Sequence, residues 1–124
     1  MKFDQFVKVI RTRAELDSTE HAEKAARATL SVLGERLAGG EPGDLASQLP
    51  PEIADALRSD DPGESFDVDE FYRRVAEREG TGCTPGQARE HAMAVMSTVV
   101  DTVTAGQRDD VASQLPAGYA ELLR

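Results

Sequence analysis

Residues 37–50 are LAGGEPGDLASQLP, and residues 103–116 are VTAGQRDDVASQLP. Both stretches end in Ser-Gln-Leu-Pro, at an offset of 66 residues. With that offset held, residues 18–58 align with residues 84–124 without a gap, and 14 of the 41 pairs are identical. Agreement on this scale is improbable by chance, so the sequence predicts an internal duplication.

The predicted duplication divides the chain into three parts. Helical repeat one covers residues 1–58, an acidic linker covers residues 59–66, and helical repeat two covers residues 67–124. A chain of 124 residues has the size of one domain. Since neither repeat can bury an apolar stripe alone, we expect the two to pack face to face around a pseudo-twofold axis.

The longest apolar pattern in each repeat predicts a helix. In repeat one it begins at Ser18 and runs to about Ala38, with alanines and leucines recurring on one face. In repeat two it begins at Thr84-Pro85, because Thr is a favourable N-cap and Pro is tolerated at the first helical position. Gln87 is placed to complete that cap, and Asp67 with Glu70 predicts a capping box one helix earlier.

Residues 95–104 pose a conflict between propensity and pattern. They are rich in β-branched side chains, which favour strands. Their apolar positions nevertheless follow a helical rhythm, and tertiary packing commonly overrides weak propensity. We therefore predict a helix here, and an all-α fold of two pseudo-symmetric helical repeats packed into one compact bundle.

Three polar residues of the duplicated block, Asp44, Ser47 and Gln48, recur in both repeats. The structural interpretation is that Asp44 caps the N–H of Ser47, while the Gln48 amide satisfies carbonyls freed where Pro50 and Pro51 interrupt the chain. The functional interpretation is that the set binds a ligand symmetrically. We favour the structural interpretation.

The opening Phe3-Asp4-x-Phe6-x-x-Val9, the Ala- and Leu-striped helix and the block at residues 37–50 resemble the domain-of-unknown-function family 2267. The resemblance covers essentially the whole chain, although Ala105-Gly106-Gln107 replaces Gly-Gly-Glu in repeat two and Val111 replaces Leu. It implies a small, acidic, all-helical and duplicated protein. Because it implies no established activity, it transfers no catalytic residues.

The chemistry-bearing residues form no recognisable catalytic or metal-binding motif. Neither His21 nor His91 has a Glu three residues before it, as a di-iron bundle requires, and the two do not align at the repeat offset. We expect both to be partly exposed helix residues. Cys83 precedes a helix N-terminus, where the dipole would lower a thiol pKa, but we favour an ordinary loop residue. We thus expect no catalytic residues, metal site or cofactor.

The net charge of −9 is concentrated in one segment. Residues 41–70 hold ten acids and one base, Arg58, whereas the remainder holds 13 of each sign. The segment is either a solvated linker that maintains solubility or a face that attracts a basic partner. An acidic chain is poorly suited to bind nucleic acid.

Other features of the sequence restrict the predicted location and binding partners of the protein. No apolar run approaches a membrane span, the N-terminus lacks a signal-peptide pattern, and one Cys excludes an intramolecular disulfide. We therefore expect a cytoplasmic protein that contacts neither membrane nor nucleic acid. Met93 and Val100 widen the apolar arc of the second long helix, which is explained by a central position or by contact with another chain.

These observations favour a non-enzymatic protein-interaction or regulatory module, with a protein partner of basic character. The alternative is a small-molecule or lipid binder that uses an apolar cavity between the two repeats. A weaker third option is an enzyme that uses scattered carboxylates. Homo-oligomer formation stays open.

Overall fold

Every regular element in the computed structural model, which describes residues 1–80 and 82–124, is a helix. The α-helices are α1 (Phe3–Arg13), α2 (Thr19–Arg36), α3 (Glu41–Ala46), α4 (Pro51–Ala54), α5 (Val68–Glu79), α6 (Pro85–Thr102) and α7 (Ala105–Ser113). Short 3₁₀ helices cover Asp55–Leu57 and Ala117–Leu123. Because these described ranges contain no strand, the prediction of an all-α fold is confirmed.

The helix starts follow the predicted caps, with two exceptions. The Ser18 side chain accepts from the N–H of His21, and Thr84 and Gln87 form a reciprocal capping box. Asp67 caps α5, but the Glu70 side chain binds Arg73 and Arg74 instead of closing a box. The predicted Asp44 cap is wrong: Asp44 lies inside α3, which starts five residues after α2 ends.

The segment 95–104, where propensity and pattern conflict, is helical as far as Thr102. Its inward side chains Val95, Met96 and Val99 are at most 2% exposed, so burial outweighs the poor intrinsic propensity. The hydroxyl of Thr98 donates to the carbonyl of Ala94, four residues earlier, which satisfies that buried hydroxyl within the helix.

One hydrophobic core connects the described helices and makes the fold compact. Helices α2 and α6 lie at its centre, and α6 packs against α1, α2, α5 and the C-terminal 3₁₀ helix. Both helices carry fully buried alanines: Ala22, Ala25, Ala26, Ala88 and Ala92. The few aromatic rings fill the larger spaces, with Phe71 and Tyr119 packed edge to face at 5.7 Å between centroids.

Two glutamines join the chain stretches that follow α2 and α6. Oε1 of Gln48 accepts from the backbone N–H of Thr104 at 2.8 Å, and Oε1 of Gln114 accepts from that of Ala38 at 2.7 Å. The prediction that Gln48 satisfies carbonyls near Pro50 is therefore wrong, because its amide reaches the other half of the chain. The division at residues 59–66 itself stays a prediction.

Glu41 and Gln107 form a further contact between the stretches that follow α2 and α6. The Gln107 amide donates to the Glu41 carboxylate, and both side chains are buried. Burial, followed by the charges of Asp110 and Asp44, raises the pKa of Glu41 above its usual range. The contact between α3 and α7 thus contains a carboxyl group held in an unfavourable environment.

The predicted linker, residues 59–66, is bound to α2 rather than free in solvent. The backbone N–H groups of Gly63 and Glu64 donate to the carbonyls of Leu37 and Glu35, each at 2.9 Å. The Phe66 carbonyl accepts from Arg36 and from the Tyr119 hydroxyl. These bonds fix the segment against the C-terminal end of α2.

Glu121 anchors the C-terminal 3₁₀ helix. Its carboxylate accepts two hydrogen bonds from Arg89 and one from the Tyr72 hydroxyl. These hydrogen bonds, the Arg89 bond first, lower the pKa of Glu121 from 4.5 to about 2. The ionised carboxylate therefore stabilises the folded state, and this contribution is present above about pH 5 and lost as pH falls towards 2.

We expect Glu121→Gln to lower the free energy of unfolding at pH 7 by about 1–2 kcal/mol, because a neutral amide binds Arg89 weakly. Urea unfolding at pH 7, 4 and 2 tests this. The difference between the two proteins should shrink as pH falls; a difference that is constant from pH 7 to pH 2 contradicts the assignment.

Gly34 lies where α2 touches the 3₁₀ helix Asp55–Leu57. A Cβ at Gly34 would overlap the carbonyl oxygen of Leu57 and lie 2.7 Å from its carbonyl carbon. Since both contacts are with backbone, the main chain itself would have to move.

We expect Gly34→Ala to lower the free energy of unfolding by about 3 kcal/mol, despite the better helix propensity of Ala. Gly106→Ala is the matched control, since a Cβ there meets no atom within 4 Å, and it should be neutral or slightly stabilising. Thermal unfolding of both variants measures the effect; equal melting temperatures would contradict this packing.

Candidate functional site

A buried carboxylate lies between the two histidines of the chain. Glu79 is the last residue of α5, and its side chain is 2% exposed. Nδ1 of His91 lies 2.8 Å from both carboxylate oxygens, and Nε2 of His21 lies 3.3 Å from Oε1. The two imidazole rings meet edge to face, with 5.6 Å between centroids. We call His21, Glu79 and His91 the His–Glu–His cluster.

Three helices position the cluster. The Ser18 cap fixes the first turn of α2, which carries His21, and the Thr84–Gln87 capping box fixes the start of α6, which carries His91. Helix α5 stops directly after Glu79, because Gly80 takes a positive φ of 69°. The carboxylate therefore projects where the N-terminal turns of α2 and α6 approach the end of α5.

The electrostatics of the cluster favour an ionised Glu79. Burial alone would raise its pKa, but the hydrogen bonds and charges of His91 and then His21 outweigh burial and lower the pKa below its usual range. On the other side of the His21 ring, Nδ1 lies 3.3 Å from Oδ1 of Asp17. His21 thus bridges an exposed carboxylate and a buried one.

Cys83 lies on the rim of the same site, just before α6. Burial, followed by the negative charge of Glu79, raises the pKa of the Cys83 thiol to about 11. The hypothesis of a thiol activated by the helix N-terminus is therefore wrong in sign. The rim belongs to an open cleft of about 450 Å³ that also contains His21, Glu79 and His91.

Sequence reasoning missed this cluster. Both histidines do lie on helices and are partly exposed, as expected, with His21 41% and His91 12% exposed. Their shared partner Glu79 was not singled out, because it follows neither motif spacing nor the repeat offset. No local signal marks three ligands that come from three helices and lie 58 and 12 residues apart.

A second feature is an apolar groove of about 650 Å³, formed entirely by the segment 34–62. Its apolar wall consists of Pro42, Ala46, Leu49, Pro51, Ala54, Leu57 and Pro62. The groove therefore lies beside repeat one and the predicted linker, not between the two predicted repeats.

The acidic segment divides into paired and unpaired carboxylates. Glu64 and Glu70 bind Arg74, which also contacts Glu35. In the described ranges 1–80 and 82–124, no cationic side chain pairs with the exposed acids Asp44, Glu52, Asp60 and Asp61. These four adjoin groove-lining residues in sequence, and we call them the acidic rim. The charged residues that line the groove itself are Asp55, which pairs with Arg27, and Arg58.

The surface around Met93 and Val100 is not an exposed apolar patch. Both side chains are only partly exposed, and Met93 packs against the core. The wider apolar arc of α6 is thus accounted for by its central position in the fold.

The comparison with known families agrees with this architecture. The family model described as "Uncharacterized conserved protein (DUF2267)" matches residues 3–122 of the 124. The chain belongs to DUF2267. A comparison with curated proteins found no match. Among the helices that the structure of this DUF2267 protein describes, none is long and apolar enough to cross a bilayer.

We expect the Cys83 thiol of this DUF2267 protein to react slowly. At pH 8 a thiol of pKa about 11 holds far less thiolate than an unperturbed one, and its greater nucleophilicity offsets only part of that deficit. Alkylation by iodoacetamide should be about ten-fold slower in the folded protein than in urea. Equal or faster reaction of the folded protein at pH 8 would contradict the raised pKa.

Proposed function

We propose that this protein is a non-enzymatic interaction module that binds a basic, amphipathic segment of a partner protein in the groove of residues 34–62. One observation carries the proposal: residues that line an open apolar groove adjoin four exposed acids, and these acids have no cationic partner within the described chain. Apolar residues of the partner would enter the groove while its Lys or Arg side chains meet the rim.

Charge complementarity supports a basic partner over a neutral or acidic one. Residues 41–70 carry a net charge of −9, from ten acids and Arg58. Some of these acids are already neutralised by Arg74, but Asp44, Glu52, Asp60 and Asp61 remain exposed near the groove. A cluster of like charges accelerates the encounter with an oppositely charged partner and disfavours nucleic acid.

The groove also supports the second candidate, a binder of a small apolar molecule or lipid. Its volume of about 650 Å³ is in the range of ligand pockets. It is open along one side, however, and an acidic rim does little for an uncharged ligand. These two properties favour an extended partner over an enclosed small molecule.

We further propose that the chain consists of two related helical units. Gln48 and Gln114 are separated by the repeat offset of 66. Ala38 and Thr104, whose N–H groups donate to Gln114 and Gln48 respectively, are separated by the same offset. Two bonds related in this reciprocal way are what a twofold axis produces. Glu41 and Gln107, also 66 residues apart, contact each other where that axis would pass.

The groove is tested with two synthetic amphipathic peptides that share one apolar face, one carrying Lys on the polar face and the other Glu. We expect the Lys peptide to bind, with affinity falling as salt is added, and its amide NMR perturbations to map to residues 34–62. Gly43→Lys should weaken binding of the Lys peptide at least ten-fold, because Gly43 lines the groove and the new side chain would occupy it. The variant should still fold, because a Cβ at Gly43 would meet no atom within 4 Å.

Gly106→Lys is the matched control, because it adds the same side chain at an equally open helix position away from the groove. It should leave affinity for the Lys peptide nearly unchanged. Equal binding of the Lys and Glu peptides, or equal losses in the two variants, would contradict the proposal. Binding of an uncharged fatty alcohol in the groove, together with binding of neither peptide, would favour the second candidate.

A further inference from the structure

The His–Glu–His cluster has the dimensions of a metal site. The nearest ligand atoms of His21, Glu79 and His91 all lie within 4.8 Å of one another. A tetrahedral zinc ion with bonds of roughly 2.0–2.1 Å separates neighbouring ligand atoms by roughly 3.3 Å. The distance of 3.3 Å from Glu79 to His21 matches that separation, whereas the distance of 2.8 Å from Glu79 to His91 requires a small outward shift of the His91 ring.

Asp17 supplies the outer contact that metal-bound histidines usually have. It lies 3.3 Å from Nδ1 of His21, while Nε2 of the same ring faces Glu79. When Nδ1–H donates to Asp17, the Nε2 of a neutral ring is an acceptor that faces a carboxylate, which is also an acceptor. Two acceptors at 3.3 Å repel each other unless a proton or a cation lies between them.

The surroundings provide the remaining requirements. Glu79 is almost fully buried, so its negative charge would compensate the charge of a cation bound beside it. The three side chains that would bind the cation come from three helices, which packing holds in place. The cleft of about 450 Å³ reaches the cluster. It gives a metal ion access and leaves room for a water molecule as the fourth ligand.

We infer that His21, Glu79 and His91 bind one divalent transition-metal ion, with Zn²⁺ the ion that fits best. Two imidazoles and one carboxylate are ligands typical of Zn²⁺, whereas Mg²⁺ and Ca²⁺ require more oxygen ligands than the cluster offers. The ion ties α2, α5 and α6 together at one end of the bundle. This inference does not depend on the proposed function of the groove.

Titration of the full metal-free chain with ZnCl₂, CoCl₂ and MgCl₂ tests the inference. We expect one Zn²⁺ per chain by calorimetry, a raised melting temperature, and the intense visible absorption of tetrahedral Co²⁺. Millimolar Mg²⁺ should change nothing. A chain whose melting temperature and calorimetric heat do not respond to millimolar Zn²⁺ holds a hydrogen-bonded cluster only, and the inference is then overturned.

The ligand assignment is tested with His21→Gln and His91→Gln. Each Gln amide can still donate to Glu79 but is a poor zinc ligand, so we expect Zn²⁺ affinity to fall at least about 100-fold. Asp17→Asn should reduce affinity about ten-fold through the outer contact. Circular dichroism monitors the folding of each variant. If His91→Gln unfolds, the result for His21→Gln decides the assignment, because His21 is the more exposed ring.

Two controls complete the experiment. Asp44→Asn and Asp60→Asn each remove an exposed acid outside the cluster. Both should bind Zn²⁺ as the unaltered chain does. Unchanged affinity in His21→Gln, or a 100-fold loss in either control, would overturn the assignment.

Discussion

The packing of α2, α5 and α6 against one another in one hydrophobic core is the constraint on which the other features depend. Ala22 and Ala26 on one helix and Ala88 and Ala92 on the other are fully buried. Small side chains let helix axes approach towards the lower end of the usual 8–10 Å. Because α5 packs against both α2 and α6, its last residue, Glu79, meets one imidazole from the N-terminal half of each helix.

The features predicted from sequence are those with local causes. Ser18, Thr84 and Gln87 act within one helical turn, so capping chemistry alone identifies those helix starts. The helix at residues 95–104 was predictable because periodicity reports burial, and burial outweighed the β-branched composition. The all-α class and the family resemblance rest on the same local patterns, and the family match confirms the resemblance.

The features that sequence reasoning missed depend on contacts distant in the chain. Asp44 and Gln48 were interpreted as local caps, yet Gln48 bonds a residue 56 positions away. The His–Glu–His cluster requires the end of α5 to meet the starts of α2 and α6, and no spacing rule within one segment contains that information. The raised pKa of Cys83 likewise comes from burial and then from the charge of Glu79, and both arise only in the folded chain.

Under the proposed duplication, the pair formed by Glu41 and Gln107 has a consequence for how the two halves could diverge. In a dimer of identical subunits, a side chain on the symmetry axis must meet its own copy, and two glutamates there would place like charges in contact. A single covalent chain is free of that restriction, because each half can change alone. Glutamine opposite glutamate converts self-repulsion into a donor and an acceptor, a solution that no symmetric homodimer of such units can encode.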